Sequence, residues 1–362
     1  MLKYHRIARG ILQGNALEAP YRLNLGLTNL CDSKCKTCDI WQIYPRGALD
    51  VRQELKLEEW QKIFAKLPSS VMWLSFSGGE PHLRKDFVQI MEAAFQVPNV
   101  AMVNVPNNGI KRDLEVRNWK HLLAIKKRPY LYISMSLDGH REVHDEVRGI
   151  KGNYDSAVGA LEDISALIKE HGNAALGVGL TVSRFNYQDA PGFARHCLDQ
   201  GWKVKVEAAY SGELYYQGLT GPRPNLQAEG VRDAIRDIYA LLLERQWKYT
   251  NPSDYLERWH TEGILKFLEN PKQLVLPCSA AKSNYAFDCY GNINPCFFYA
   301  ADFGNIREAD YDLMRLLEAN RAKVEKARER IAKHDCPKCW LVCNSIDSMI
   351  DQKLRHPLKT LV

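Results

Sequence analysis

Long hydrophobic runs are missing from this chain. No window of about 20 residues is apolar enough to cross a bilayer, so no membrane span is expected. Internal repeats and low-complexity tracts are missing too, which argues against solenoid and disordered classes. The first fifteen residues carry Lys3, Arg6 and Arg9 but no long apolar stretch and no small-residue cleavage site, so no secretory signal is expected. A large excess of one charge is also lacking. Forty-nine Lys and Arg stand against 43 Asp and Glu, a net charge of +6 scattered along the chain. That does not point to nucleic acid and only mildly favours acidic substrates or surfaces. What is present is core-forming material: 46% hydrophobic residues in a chain of 362. This suits two domains, or one barrel with an appendage.

Ten cysteines are the informative count, and nine of them fall at 31–38 and 278–343, leaving Cys197 alone. With no secretory signal, such tight spacings predict metal ligation in a reducing cytoplasm rather than disulfides. The first group is Cys31-x3-Cys35-x2-Cys38. Upstream, Tyr21–Leu27 alternates apolar and polar residues, as a strand does. Thr28 and Asn29 break that pattern, so the thiols occupy a loop past the carboxyl end of a strand, where α/β barrels place their chemistry. Iron–sulfur cubes are held by cysteine thiolates, normally four. Here the next cysteine is Cys197. A cube on three thiolates keeps one iron open to an outside ligand, as catalytic metal sites keep a position open. The competing reading is a zinc knuckle. It needs a nearby histidine or a fourth cysteine, and His82 and His140, the nearest candidates, have no paired ligand.

From residue 21 to 208, strand and helix patterns alternate. Strands are expected at 71–76, 100–105, 131–137, 175–182 and 202–207 after the first. Helical faces recur at Leu57, Trp60, Ile63, Phe64 and Leu67, at Phe87, Ile90, Met91 and Ala94, around 113–125, at Val158, Leu161, Ile164, Leu167 and Ile168, and over 190–200. Short buried strands alternating with helices call for a parallel sheet with right-handed crossovers. A doubly wound sheet has the same rhythm. The expected class is nevertheless α/β with a partial (β/α)6 TIM-like barrel, because unusual residues follow several strands rather than two at a switch point.

Those residues are Ser77-Gly78-Gly79-Glu80-Pro81, Pro106-Asn107-Asn108-Gly109, Ser136-Leu137-Asp138-Gly139 with His144 and Arg148-Gly149, and Thr181 with Ser183. Paired glycines let backbone groups approach a ligand closely, Ser and Asp at a strand end can bond ribose hydroxyls, and Arg148 can clamp a carboxylate bidentately. The plain alternatives are turns for the Gly and Asn motifs, an ion pair from Arg148 to Asp145 or Glu142, and capping for Thr181 and Ser183.

The cysteine motif together with Gly-Gly-Glu-Pro resembles the radical S-adenosylmethionine superfamily over residues 21–208. The resemblance implies that Cys31, Cys35 and Cys38 hold a 4Fe–4S cluster whose open iron chelates the amino and carboxylate groups of S-adenosylmethionine. It implies that an electron cleaves the sulfonium C–S bond and that the 5′-deoxyadenosyl radical abstracts a substrate hydrogen. Gly78, Gly79, Glu80 and Pro81 would address the methionine end and Ser136 and Asp138 the ribose. Asn107, Arg148 and Ser183 are further cofactor-binding candidates. One departure is Thr37, where the family often has an aromatic residue near adenine. Ile40 or Trp41 can take that place, and Trp41 as ordinary core is an equal reading.

Cys278, Cys289, Cys296, Cys336, Cys339 and Cys343 form the second group. Phe287–Cys296 reads as a hairpin turning at Gly291. Cys278-x12-Gly291-x4-Cys296 with Gly304-Asn305-Ile306 resembles the SPASM/twitch extension, which implies an auxiliary 4Fe–4S cluster on Cys278 and Cys296 with ligands from Cys336, Cys339 and Cys343. Cys289 is the expected bystander, or else a fourth ligand. A structural zinc site is the alternative. The expected organisation is an arm (1–20), a core barrel (21–210), a helical substrate-side region (211–275), an auxiliary-cluster domain (276–346) and a tail (347–362).

The leading expectation is a cytoplasmic enzyme that uses S-adenosylmethionine and an external electron donor such as flavodoxin or ferredoxin on an organic substrate. Tyr210, Tyr215, Tyr216 and Arg223 are candidates to reach that substrate. Only about 20 residues precede the first strand, which favours a small molecule, sugar or lipid intermediate over a peptide. The alternatives are a peptide-modifying maturase and, in another class, a non-catalytic iron–sulfur protein for electron transfer or scaffolding.

Overall fold

A computed structural model describes residues 20–47, 49–210, 230–248 and 252–355. Strand β1 is Arg22–Gly26, β2 Trp73–Ser77, β3 Met102–Asn107, β4 Tyr130–Ser136, β5 Ala174–Val182 and β6 Val204–Ala208. They pair in parallel and in sequential order from β1 to β6. A doubly wound sheet reverses its order at a switch point. This one does not, so the six strands form the partial (β/α)6 barrel.

The helices are α1 (Leu57–Ala65), α2 (Phe87–Phe95), α3 (Arg112–Ala124), α4 (Arg141–Arg148), α5 (Asn153–His171) and α6 (Ala190–Asp199), then α7 (Val231–Arg245) and α8 (Pro252–Glu269). Alternate strand residues point to opposite faces. Val103, Val105, Leu131, Ile133, Met135, Val178, Leu180, Val204 and Val206 are buried in the hydrophobic core. The other set is polar: Arg22 donates to Ser75 (3.5 Å), and Asn104 donates to Ser75 (3.0 Å) and accepts from Trp73 (2.7 Å). The barrel interior is thus a hydrogen-bonded polar surface, unlike the apolar outer face.

Helix α4 lies where a loop was expected. Its eight residues bury only His144 and Val147, so its apolar stripe is too thin to register as periodicity.

The C-terminal region does not fold apart from the barrel. Strand β7 (Asn284–Phe287) pairs in parallel with β1, Asn284 opposite Arg22, and continues through the turn at Gly291 to β8 (Ile293–Asn294). After it come α9 (Leu313–Ala319), α10 (Arg321–Ala332) and α11 (Val342–Arg355). Helix α11 runs across residue 347, where the sequence suggested that a tail begins, and both Asp347 and Met349 are fully buried. The reason is polar: Asp347 pairs with Arg22 inside the barrel (3.5 Å) and accepts from Asn284 (2.7 Å). Such burial needs long-range partners that no local pattern announces. Helix α8 packs on both β6 and α11. No helix among the described residues is long and apolar enough to cross a membrane.

Candidate cluster and cofactor site

The first thiol loop leaves β1 and is held by its neighbours' backbones. Leu27 N bonds Ser77 O (2.9 Å), Lys34 N bonds Arg148 O (2.9 Å), and Lys36 N bonds Val147 O (2.8 Å). Asn108 donates to the Asp32 carboxylate (2.7 Å). The end of α4 is therefore a seat for the loop.

This arrangement gives the glycines a definite task. Gly79 N bonds Thr28 O (2.6 Å) and Glu80 N bonds Leu30 O (2.7 Å). A Cβ at Gly79 would stand 1.9 Å from Leu30 O, and one at Gly78 (φ +136°) 2.4 Å from Thr28 O. Both glycines serve close approach to the stem of the thiol loop. Gly79→Ala must push that backbone aside, because a carbonyl oxygen has no rotamer to retreat to. The expected outcome is loss of roughly half the reconstituted iron, as the first cluster fails to assemble and the second survives; iron per chain is the readout.

The three thiols face one another electrostatically. Burial pushes the Cys31 thiol upward, and Cys35, Glu80 and Cys38 add repulsion. Bound iron offsets such crowding of like charge. Ser33 Oγ lies 3.0 Å and Arg148 Nη1 3.8 Å from Cys35 Sγ. Two buried polar atoms on this loop, Asp32 Oδ2 and Trp41 Nε1, have no protein partner. Buried polar groups rarely go unmatched, so their chemistry fits a loop that receives a polar ligand. Trp41 itself is half-buried, whereas Ile40 is core.

The other candidates are more occupied than the sequence suggested. Glu80 is buried, its carboxylate accepting from His82 N (3.1 Å) and Asn108 N (2.8 Å), and burial raises its pKa to about 8. Pro81 opens the short 3-10 turn after it. Asn107 Oδ1 is shared by His82 (2.6 Å) and Trp119 (2.9 Å), a core network rather than an open surface. Asp138 pairs with Arg148 (2.7 Å) and accepts from Thr181 N (3.1 Å), so the arginine's partner is Asp138 and neither Asp145 nor Glu142. Ser183 bonds Asn186, which also donates to the Asp138 carbonyl (2.7 Å). Ser136 is half-buried at the end of β4. Asp32 and Asn186 were not singled out in the sequence; their only signal is proximity in space.

The second group gathers elsewhere. Cys278, Cys296, Cys336 and Cys339 line one small cavity with Trp340 and Asn344, and Cys339 feels Cys296, Cys343 and Cys278 as neighbours after burial itself. Burial raises Cys278 to about 12 and Cys296 to about 11. The buried Asn344 amide faces the Cys296 thiol. Five thiols gathered in one place, with an amide that can donate to a thiolate, suit a cluster site. Cys289 stands apart, beside Glu54 and Tyr44. Tyr210 is buried and bonds Trp340 O (3.2 Å); Tyr215, Tyr216 and Arg223 lie outside the described residues.

Among the described residues, no three His, Cys, Asp or Glu side chains could hold a single metal ion. Both ring nitrogens of His82 are engaged, by Asn107 and Asn118, and His140 Nδ1 contacts Asp189.

Comparison with known proteins agrees with this geometry. The Fe-coproporphyrin III synthase of Methanosarcina barkeri is 26% identical over 88% of this chain and 80% of its own length. The mycofactocin maturase MftC of Mycolicibacterium smegmatis is 31% identical over 52% of this chain, and the sporulation killing factor maturation protein SkfB of Bacillus subtilis 27% over 50%. The chain spans 45% and 40% of those two maturases. Among solved structures, Streptococcus suis SuiB bound to S-adenosylmethionine matches with a TM-score of 0.57 at 15% identity, over 87% of this chain and 71% of SuiB. AdoMet-bound anSMEcpe matches with a TM-score of 0.58 at 14% identity, over 93% of this chain and 96% of that one. These two likenesses concern the fold. The family model for the Radical SAM superfamily matches residues 25–186, the stretch that carries the thiol loop and the glycine-rich loop. Residues 25–186 thus carry a Radical SAM domain, and the members of that superfamily use a 4Fe–4S cluster and S-adenosylmethionine.

Proposed function

We propose that the protein is a radical enzyme that acts on a small organic molecule, with a coproporphyrin-like tetrapyrrole as the first class to test. The observation that carries the substrate class is coverage. The match to Fe-coproporphyrin III synthase runs through the barrel and the C-terminal region alike, whereas the maturase matches reach only about half of the chain.

The cluster on Cys31, Cys35 and Cys38 would supply reductive cleavage of S-adenosylmethionine to a 5′-deoxyadenosyl radical; the chemistry is the cofactor's, and the protein's part is binding, orientation and exclusion of water. Asp32 and the backbone around Gly79 would hold the methionine end, Ser136 and the Asp138–Arg148 pair the ribose, and Trp41 the adenine. The thiols of Cys278, Cys296, Cys336, Cys339 and Cys343 would hold an auxiliary cluster. A low-potential donor such as flavodoxin or ferredoxin provides the electron.

The test is substrate-stimulated 5′-deoxyadenosine formation by anaerobically reconstituted protein. Tetrapyrroles bearing propionate or acetate side chains should raise the yield above the substrate-free baseline. If only peptides do so, the small-molecule reading fails and the maturase reading takes its place.

Trp41→Ala separates packing from cofactor contact. Its indole N–H has no protein partner to lose. Stacking on a base is worth about 1–3 kcal/mol. The expected result is roughly ten- to hundredfold weaker S-adenosylmethionine binding at unchanged iron content, measured by equilibrium dialysis.

A further inference from the structure

We propose that Glu54 is a positioning residue that ties the stem of the first thiol loop to the C-terminal hairpin, so that the shape this loop offers to S-adenosylmethionine depends on how the hairpin is seated. This rests on the reading that Cys31, Cys35 and Cys38 hold the first cluster.

Glu54 is 7% exposed and follows a short 3-10 turn on the far side of the loop. Its Oε1 accepts from Thr28 Oγ1 (2.7 Å), from Asn29 N (2.9 Å) and from the Tyr44 hydroxyl. Thr28 Oγ1 accepts in turn from Leu30 N (2.9 Å), the residue before Cys31. Its Oε2 lies 3.5 Å from Arg84, which also bonds Leu27 O (2.8 Å) and Leu55 O (2.9 Å). One carboxylate therefore gathers both ends of the stem and the segment that follows the glycine-rich loop.

The other side of the same carboxylate faces the hairpin. Leu55 N donates to Cys289 O (2.7 Å), and the Tyr290 hydroxyl donates to that of Tyr44 (3.0 Å). The Cys289 thiol is hydrogen-bonded to Glu54 and Tyr44, and Tyr290 reaches Asn29. Cys289 is 1% exposed, and the side chains that act on it most strongly are Glu54, Asp288 and Tyr44. Its place in the molecule is thus in this network and not in either thiol group. Donors converge on Glu54 from four segments, which a glutamine cannot satisfy: its NH2 group would face N–H and O–H donors. Bonds to a charged acceptor are also the stronger kind.

The experiment compares reconstituted wild-type protein with Glu54→Gln and Tyr44→Phe. Iron and sulfide content, the EPR spectrum of the reduced protein with and without S-adenosylmethionine, its dissociation constant, and the melting temperature are read together. Glu54→Gln should keep about eight irons, bind S-adenosylmethionine roughly tenfold more weakly, and show an altered S-adenosylmethionine-induced EPR change. A purely structural role would lower the melting temperature and leave spectrum and affinity alone, and that result overturns the proposal. Should Glu54→Gln not fold, Tyr44→Phe decides. It removes one hydroxyl, and a two- to fivefold weaker affinity supports the clamp, whereas wild-type affinity and spectrum sink it. If wild-type protein itself shows no spectral response to S-adenosylmethionine, the cluster assignment has failed, which is a different outcome from a failed clamp.

Discussion

Cys35→Ala should abolish S-adenosylmethionine cleavage while leaving the second cluster in place. The loop has three thiols and no fourth cysteine nearby, so losing one leaves two ligands for a cube that normally has four. No replacement is at hand. One Asp32 oxygen is bonded to Asn108 and the other is a hard carboxylate oxygen in place of a soft thiolate, and His82 is spent on Asn107 and Asn118. Cys35 also lies among the Ser33 hydroxyl, the Arg148 guanidinium and the Cys31 thiol. Iron should fall from about eight to about four per chain, and 5′-deoxyadenosine should drop to the background of protein-free controls. Cys289→Ala is the matched control. Its thiol sits with Glu54 and Tyr44, away from both groups, so the full iron content should remain. Equal iron loss in both variants would contradict the division into two thiol groups.

Asp347→Ala should be the most destabilising substitution outside the thiols. Asp347 is fully buried and Arg22 1% exposed. The guanidinium lies over Trp73 (3.9 Å to the ring centre) and donates to Val342 O (3.1 Å), so it cannot swing out to water. Removing the carboxylate strands a buried cation, which costs about 3–5 kcal/mol. Asn284 and the Tyr21 side chain lose a partner as well. Because β7 pairs with β1 at this point, the loss should fall on the docking of the C-terminal region, and a urea titration should show a lower midpoint. Asp347→Asn keeps the shape but not the charge and should fall between the two. A midpoint within error of wild type for Asp347→Ala would show that α11 contributes nothing to holding the barrel.

The Glu59–Arg307 ion pair gives a pH signature. The Glu59 carboxylate in α1 is held down to about 2; burial opposes this, but hydrogen bonds from Arg307, Lys56 N and Tyr311 outweigh it. A depressed carboxylate contributes stability that is present above its unfolded value near 4.5 and is lost as pH falls toward about 2. Melting temperatures of wild type and Glu59→Gln should therefore differ at pH 7 and converge near pH 2. A constant gap across that window would rule out the charge as the cause.

The strands and most helices were legible because each presents a clear period. The second helix has Phe87, Ile90, Met91 and Ala94 buried on one face, and β4 alternates Leu131, Ile133 and Met135 with polar partners. The thiol spacing was legible for the same reason: its information is local. What escaped is long-range. Nothing near Asn284 announces that it pairs beside Arg22, nor does Asp347 reveal its partner 325 positions away. Glu54 carried no signal either, since its partners come from residues 28, 29, 44, 84 and 289. Asn107, a cofactor-binding candidate in a motif that reads by default as a turn, has its side chain engaged by Trp119 and His82, partners the local pattern does not announce.

The most direct measurement is product formation by the reconstituted wild-type protein, reduced with dithionite and given S-adenosylmethionine without oxygen. The expected products are 5′-deoxyadenosine and methionine in equal amounts, from protein carrying about eight irons and matching labile sulfide. Protein that retains zinc, lacks labile sulfide and yields no 5′-deoxyadenosine with any substrate class would contradict it.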